Sequence, residues 1–349
     1  MILETNQSWN RAFKPALSVV MIGHRSVPLL ARALESLNRH SQRGCWELVL
    51  VVNGEHAGVN AFAAEWLVAH SSPAAVVKVA EQRPGAARNA GVSVARAPLL
   101  FFLDDDVECF QDILSAAVEL FADQAIDVAG GANLTPPGSN SLARATGGVM
   151  ASRFGAAGMR RRYRVSEGVT DEHGLILCNL AVRKSVFESE RGFACHLVSN
   201  EENVLLQRLS SRGARMWSSP RLAVFHRRRE SWTGLAIQAA KYGAGRAQNL
   251  LLVPGSFRAL YFLPALLLLY AALSPFLVLL FGAFAGAPLL LYASLGMVQA
   301  AALAVVERDL AHLYGALVLP TLHLSYGFGF LRSFFSWAHR LRKLREHAA

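Results

Sequence analysis

The sequence predicts an α/β protein: a doubly wound, mostly parallel sheet followed by a C-terminal region of transmembrane helices. Three observations predict it. Short apolar, β-branched runs alternate with stretches of helical period, the pattern of a parallel sheet with crossover helices. Those runs end in Gly, Asn or Asp. Beyond about Leu260 the chain turns apolar for long stretches with few charges.

The elements follow in order. Leu17 to Ile22 (LSVVMI) reads as a first buried strand. From Pro28 to Leu37, apolar residues at Leu29, Leu30, Ala33, Leu34 and Leu37 have helical spacing. Trp46 to Val52 is a second strand, closed by the turn signal Asn53-Gly54. Ala61 to Ala69 reads as helix, Val76 to Val79 as a short strand, and Ala86 to Ala95 as a short helix after the Pro84-Gly85 loop. Leu99 to Leu103 is the next strand, and Ile126 to Ala129 another. Residues 135–174, rich in Gly, Ser, Pro and Arg, lack apolar periodicity. They read either as a mobile loop over a site or as a surface insertion. Leu175 to Val182 and Leu222 to Phe225 have strand character; Val204 to Leu209 and Trp232 to Gln248 read as helix.

The strand at Leu99 runs into three acids, FFLDDDV from Phe101 to Val107. Adjacent carboxylates repel one another and cost desolvation. A fold keeps them where a cation or a donor neutralises them. Hard divalent ions such as Mg²⁺ and Mn²⁺ take oxygen ligands and are shared between one or two carboxylates and substrate phosphates. The bland alternative is an acidic helix cap. In doubly wound sheets ligands bind beyond the carboxyl ends of the strands. Gly23-His24-Arg25, Asn53-Gly54 and Asp104 to Asp106 all fall there, so topology alone puts them on one rim.

The 349 residues leave room for one large domain and something smaller. A net charge of +10 fits nucleic acid, an anionic lipid surface or phosphorylated substrates. The basic residues cluster at Arg160 to Arg162, at Arg227 to Arg229 and in the tail at Arg340, Arg342, Lys343 and Arg345. No helix-turn-helix, zinc-finger or RNP pattern accompanies them, so nucleic acid is the weakest of the three and none is expected as a partner. Cys45, Cys109, Cys178 and Cys195 form no CxxC pair and read as reduced thiols of a cytosolic domain. The polar N-terminus lacks the apolar core of a signal peptide.

Leu260 to Phe284 and Pro288 to Val306 each suffice to cross a bilayer, which needs about 20 apolar residues. Leu313 to Leu331 is a weaker third segment, interrupted by Pro320, His323 and several glycines. Two spans return the chain to its starting side. A third would put the basic tail outside, against the positive-inside tendency. The third segment is therefore expected to be interfacial or re-entrant, with the tail on an anionic surface.

Several motifs, in order, resemble the family 2 glycosyltransferases, the inverting GT-A type with its Rossmann-like, nucleotide-binding sheet. Arg83 to Ala95 (RPGAARNAGVSVA) resembles the Gly-x-x-x-Arg-Asn-x-Gly stretch of that family, and FFLDDDV its DxD strand. Leu177 to Phe193 resembles the acceptor-side strand and helix, and Asn200 to Gly213 (NEENVLLQRLSSRG) the Glu-Asp helix. HRRRESWTGLAIQAAKYGAGR, His226 to Arg246, and Tyr326 to Phe330 resemble a membrane-anchored bacterial exopolysaccharide subgroup.

The resemblance implies a domain plan: an N-terminal extension (1–16), a cytoplasmic GT-A domain (17–255), two to three membrane helices (256–335) and a basic tail (336–349). It implies a divalent cation, Mg²⁺ or Mn²⁺, on Asp106, Asp104 and His226. It implies nucleotide-sugar contacts from Asn53, Arg88, Asp104, Asp105 and Asn179. Catalysis falls to Glu202, with Glu201 before it; Glu202 stands where the family usually has Asp. The implied partners are a nucleotide-sugar donor, a lipid-linked (polyprenyl-diphosphate-type) acceptor, the inner membrane with the catalytic domain facing the cytoplasm, and other polysaccharide-assembly proteins. Two departures leave the nucleotide open: Asn53-Gly54-Glu55 replaces an acid-rich turn, and Gly23-His24-Arg25 a Pro-Thr-type turn. A processive polysaccharide synthase shares the acid motifs but usually has more spans and a Gln-x-x-Arg-Trp motif. Here Gln238-Ala-Ala-Lys241-Tyr242 is a loose echo of it. A non-catalytic membrane scaffold that kept the fold is the alternative outside enzymes.

Overall fold

The computed structural model describes residues 1–10, 12–23, 26–40, 46–197, 199–252 and 257–346. The chain begins with β1 (Ile2–Thr5), β2 (Leu17–Gly23), α1 (Val27–His40), β3 (Trp46–Asn53), α2 (Ala57–Ala69), β4 (Ala74–Val79) and α3 (Pro84–Val92). Next come β5 (Leu99–Asp104), β6 (Val107–Glu108), α4 (Ile113–Leu120), β7 (Val128–Gly130) and β8 (Asn133–Leu134). After α5 (Ser141–Met150) and α6 (Arg153–Ala156) follow β9 (Gly168–Thr170), β10 (Asn179–Arg183), α7 (Lys184–Ser189), α8 (Glu201–Ser211), β11 (Met216–Ser218) and β12 (Val224–His226). Four long helices close the chain: α9 (Trp232–Leu252), α10 (Leu263–Phe281), α11 (Ala287–Val306) and α12 (Gly315–Glu346).

The chain divides into two compact units. The first comprises Met1–Pro136 and Arg161–Arg227. Its main sheet has the order β1-β4-β3-β2-β5-β10-β7-β11-β9. The central strands β4, β3, β2 and β5 are parallel, as expected, whereas β1 and β10 pair antiparallel with their neighbours. Alternate residues of β2 serve two cores. Val19 and Met21 pack with Leu30 and Leu34 of α1, Ala63 of α2 and Ile113 of α4. Val20 and Ile22 pack with Ala87 of α3, Phe187 of α7 and Leu205 of α8. Each large side chain fully buried this way contributes about 1.5–3 kcal/mol. A second, small sheet has the order β6-β12-β8.

The second unit comprises Pro137–Arg160 and Arg228–Ala349. Two stretches in it, Ala259–Phe281 and Ala283–Val306, are 23 and 24 residues long and apolar enough to cross a membrane by length and composition. Within this unit α9 and α12 pack closely. A Cβ on Gly243 would strike the Tyr326 carbonyl, and one on Gly329 the Ala240 carbonyl.

Some elements differ from expectation. Residues 1–16 include an edge strand, β1, in register with β4 from Ile2↔Lys78 to Thr5↔Ala75. The 135–174 segment is ordered: it holds α5, α6, a 3-10 stretch (Ala157–Tyr163) and β9. Asn140 caps α5 by accepting from the Ala143 N–H, and Leu142, Ala145 and Val149 are its buried face. Small residues hide that period. Leu175 to Cys178 is not strand; β10 starts at Asn179. The expected Leu313 to Leu331 segment starts in a 3-10 stretch (Leu310–Tyr314) and, from Gly315 on, runs unbroken through Pro320 and its later glycines within the 32-residue α12. The glycines there are sites of backbone approach, not breaks. Cys109, Cys178 and Cys195 are free thiols; Cys45, like His24 and Arg25, lies outside the described residues, as do the side chains of the basic tail.

Candidate functional site

Strand order reverses between β2 and β5, and the carboxyl ends of β2, β3 and β5 are level there: Gly23 pairs with Val52, and Ile22 with Asp104. The uniformly apolar β5 delivers Asp104 to this rim. The turn Asp105-Asp106 leads into β6, which pairs antiparallel with β12 and sets His226 opposite Val107. One ligand atom each from Asp104, Asp106 and His226 lies within 4.8 Å of the others. All three side chains are half-buried. Two carboxylate oxygens and an imidazole nitrogen suit Mg²⁺ or, better, Mn²⁺. His226 Nε2 lies 2.8 Å from Asp106 Oδ1, and its Nδ1 lies 3.1 Å from Asn133 Nδ2, which orients the ring.

Beside this cluster sits Arg88, on α3 and buried. It donates from Nη2 to Asp104 Oδ1 and from Nη1 to Glu201 Oε1, both at 2.6 Å. Burial opposes its charge, but the carboxylates of Asp104 and Glu201 outweigh this and raise its pKa. Glu201 opens α8 after Asn200, whose φ of 63° is left-handed. The Glu201 carboxyl is raised to about 7: burial pushes it up most, Arg88 pulls against that, and Glu202 adds to the rise. Two acids in the first turn of α8 are favoured by the helix dipole.

Glu202 is buried next to Arg162, whose Nη1 stands 3.6 Å from its Oε1. Asn203 Nδ2 donates to the same oxygen at 3.1 Å, and Arg162 Nη2 donates to Asn203 Oδ1 at 2.6 Å. Arg162 also donates to the carbonyls of Glu172 and His173. Sequence reasoning misses this residue, because a run of three arginines reads as a solvated face.

The predicted polar residues divide. Asp104, Asp106, His226, Arg88 and Glu201 come together, with Glu202 adjacent in α8. Asp105 lies in the turn between β5 and β6. Asn53, buried at the end of β3, exchanges two 3.0 Å hydrogen bonds with the backbone of Gln82 and so ties β3 to the loop before α3. Asn179 is fully buried and donates to the Leu222 carbonyl at 2.7 Å; it is a strut between β10 and the approach to β12. Asn89, unassigned from sequence, makes a like clamp with both backbone atoms of Phe193. Gly91 lets α3 approach the sheet, where a Cβ would stand 2.7 Å from Val51 and 2.8 Å from Val20.

Residues 18–190 match the family model described as glycosyl transferase family 2. This chain belongs to that family. The family match covers β2 to α7 and so includes Arg88 and the three acids. A curated family relative, glycosyltransferase AglE of Haloferax volcanii, is 24% identical over 187 residues. That similarity covers 53% of this chain and 58% of the relative's length. The fold is also similar to that of the mannosyltransferase PcManGT from Pyrobaculum calidifontis, solved in complex with GDP-Man and Mn²⁺. The TM-score is 0.60 at 16% identity, over 93% of this chain and 88% of that one. The family's GT-A-like fold is thereby the fold of this chain.

Proposed function

We propose that the chain is an inverting glycosyltransferase. It moves a sugar from a nucleoside-diphosphate sugar to a lipid-linked acceptor of the polyprenyl-diphosphate type, in polysaccharide or glycoconjugate biosynthesis. The observation that carries this reading is the convergence of Asp104, Asp106 and His226 beside the Arg88–Glu201 pair, at the point where strand order reverses. The GDP-Man and Mn²⁺ held by the mannosyltransferase of similar fold support a nucleoside-diphosphate sugar and a divalent cation here.

In this reading Asp106, Asp104 and His226 hold Mg²⁺ or Mn²⁺. When bound, the cation neutralises the diphosphate leaving group as the glycosidic bond breaks. Arg88 keeps Asp104 oriented towards the donor, and Asp105 and the Asn53 turn border the nucleotide. The acceptor hydroxyl needs a base as it attacks the anomeric carbon, and Glu202 accepts that proton. Arg162 and Asn203 fix the direction of its carboxylate. Glu201, tied to Arg88 and deeply buried, serves as the positioning residue for Arg88. Asn179 acts by bracing β10 behind the site.

The apolar stretches support a membrane location. Leu266, Leu269, Leu273, Phe276 and Leu279 are all exposed along α10, more contiguous apolar surface than water tolerates well. The domain plan (17–255 cytoplasmic, 256–335 in or on the inner membrane, 336–349 a basic tail on its cytoplasmic face) satisfies the positive-inside tendency with two spans.

The test is calorimetry of a panel of nucleoside diphosphates and their sugars against the full chain in detergent, with and without Mn²⁺. Binding of one nucleoside diphosphate that requires Mn²⁺ is expected. Folded protein that binds none of them would overturn the reading.

A further inference from the structure

Among the described residues three arginines are buried: Arg88, Arg162 and Arg246. Burying a guanidinium is costly unless an opposite charge and hydrogen bonds compensate it. Arg88 has two carboxylates and Arg162 has one. Arg246, on α9 in the helical unit, is only 7% exposed and lies within ion-pair distance of no carboxylate among the described residues. Its contacts among the described residues are with neutral groups. Nη2 reaches Met159 Sδ at 3.4 Å, a weak acceptor, and the guanidinium carbon stands 4.4 Å from the ring centroid of Tyr261. Tyr326 of α12 adjoins it, and its buried hydroxyl has no hydrogen-bond partner among the described residues. A guanidinium offers five donors in a fork that matches phosphate oxygens. Among the described residues this one donates a hydrogen bond only to the Met159 thioether.

A second observation points the same way. The helical unit carries fourteen Lys and Arg against four Asp and Glu, and the sheet unit twenty-one of each. The whole excess of ten positive charges therefore belongs to the unit that is otherwise most apolar.

We propose that Arg246, with Tyr261 and Tyr326, forms a phosphate-binding site in the helical unit, and that its ligand is the phosphate or diphosphate group of a lipid. The proposal deepens the reading of a lipid-linked acceptor and rests on it, but not on the donor assignment. Two sources share this chemistry: an isoprenoid diphosphate and a bilayer phospholipid headgroup.

The test uses the full chain in detergent micelles, with farnesyl diphosphate as probe and farnesol as its uncharged control. Wild type should bind farnesyl diphosphate and not farnesol. Arg246→Gln should weaken that binding about tenfold or more, and Arg246→Lys less, since a charge without the fork remains. Phosphatidylglycerol added to the micelles identifies the source: full competition names the headgroup, and none names the isoprenoid diphosphate. Phenylglyoxal labelling of wild-type Arg246, read by peptide mass spectrometry, covers the case in which Arg246→Gln does not fold. Farnesyl diphosphate should protect Arg246. Equal binding of farnesol, unchanged affinity in a folded Arg246→Gln, or labelling that the diphosphate does not slow would each overturn the site. Mn²⁺-dependent donor binding by wild type is scored separately, so failure of the donor reading leaves this result standing.

Discussion

The two units of this chain treat charge in opposite ways. In the sheet unit positive and negative charges balance, and the buried ones are spent on one another: Arg88 with Asp104 and Glu201, Arg162 with Glu202, Arg96 with the fully buried Glu47. In the helical unit the charge is one-sided, and the single buried arginine among its described residues forms no ion pair there but stands by the Tyr261 ring and the Met159 thioether. The lesson is that burial alone does not say what an ionic side chain is for. A compensated charge holds a structure in place, whereas an uncompensated one is arranged for something that arrives from outside.

The largest effect should come from the acids at the end of β5. Asp106→Ala should lower Mn²⁺-dependent transfer about a thousandfold or more, because one cation ligand and the partner of His226 are lost together. A steady-state assay over a Mn²⁺ titration checks it, and unchanged turnover would remove Asp106 from the cation site. Next, Glu202→Gln should leave donor affinity intact and slow transfer by about 10²–10⁴-fold. Calorimetry beside a transfer assay separates the two, and full activity would move the base elsewhere. Arg88→Met tests whether the balance in the sheet unit is structural. It strands Asp104 and Glu201, so unfolding should become easier by about 3–5 kcal/mol, read from denaturant midpoints. A loss no larger than for an exposed arginine would show that the pair is not compensating burial. The smallest effect belongs to the helical unit. Gly329→Ala puts a methyl against the Ala240 carbonyl and should cost about 1–3 kcal/mol, visible as a lower midpoint with the sheet unit's nucleotide binding unchanged.

Much of the sheet unit is legible because its central strands are uniformly apolar and end in polar turns. β2, β3 and β5 fall within a residue or two of their expected limits for that reason. β1 is not legible: four mostly exposed residues at a sheet edge carry no burial pattern. α5 escapes because Ala and Gly occupy much of its length, and small residues blur an apolar period. Within α12, Gly and Pro suggest breaks, yet what decides is the close passage of neighbouring helices, which a single segment does not encode. The site divides similarly. Asp104, Asp106 and His226 stand at strand ends, where topology brings ligands. Arg162 sits in a run of arginines that looks like solvated surface, and only packing distinguishes it from Arg160 and Arg161. The position of Asn179 on β10 is visible in sequence, but its complete burial is not.

Two asparagines carry a consequence of their own. Asn53 grips the backbone of Gln82, and Asn89 grips that of Phe193, each through a donor and an acceptor at once. Each amide works as one rung of a ladder that has no second strand. A loop moored at such a rung can gain or lose residues beyond it while the mooring point stays put. The chain entering α3 is thus moored to the end of β3, and α3 itself to the backbone of Phe193, so the helix that carries Arg88 is held from two sides.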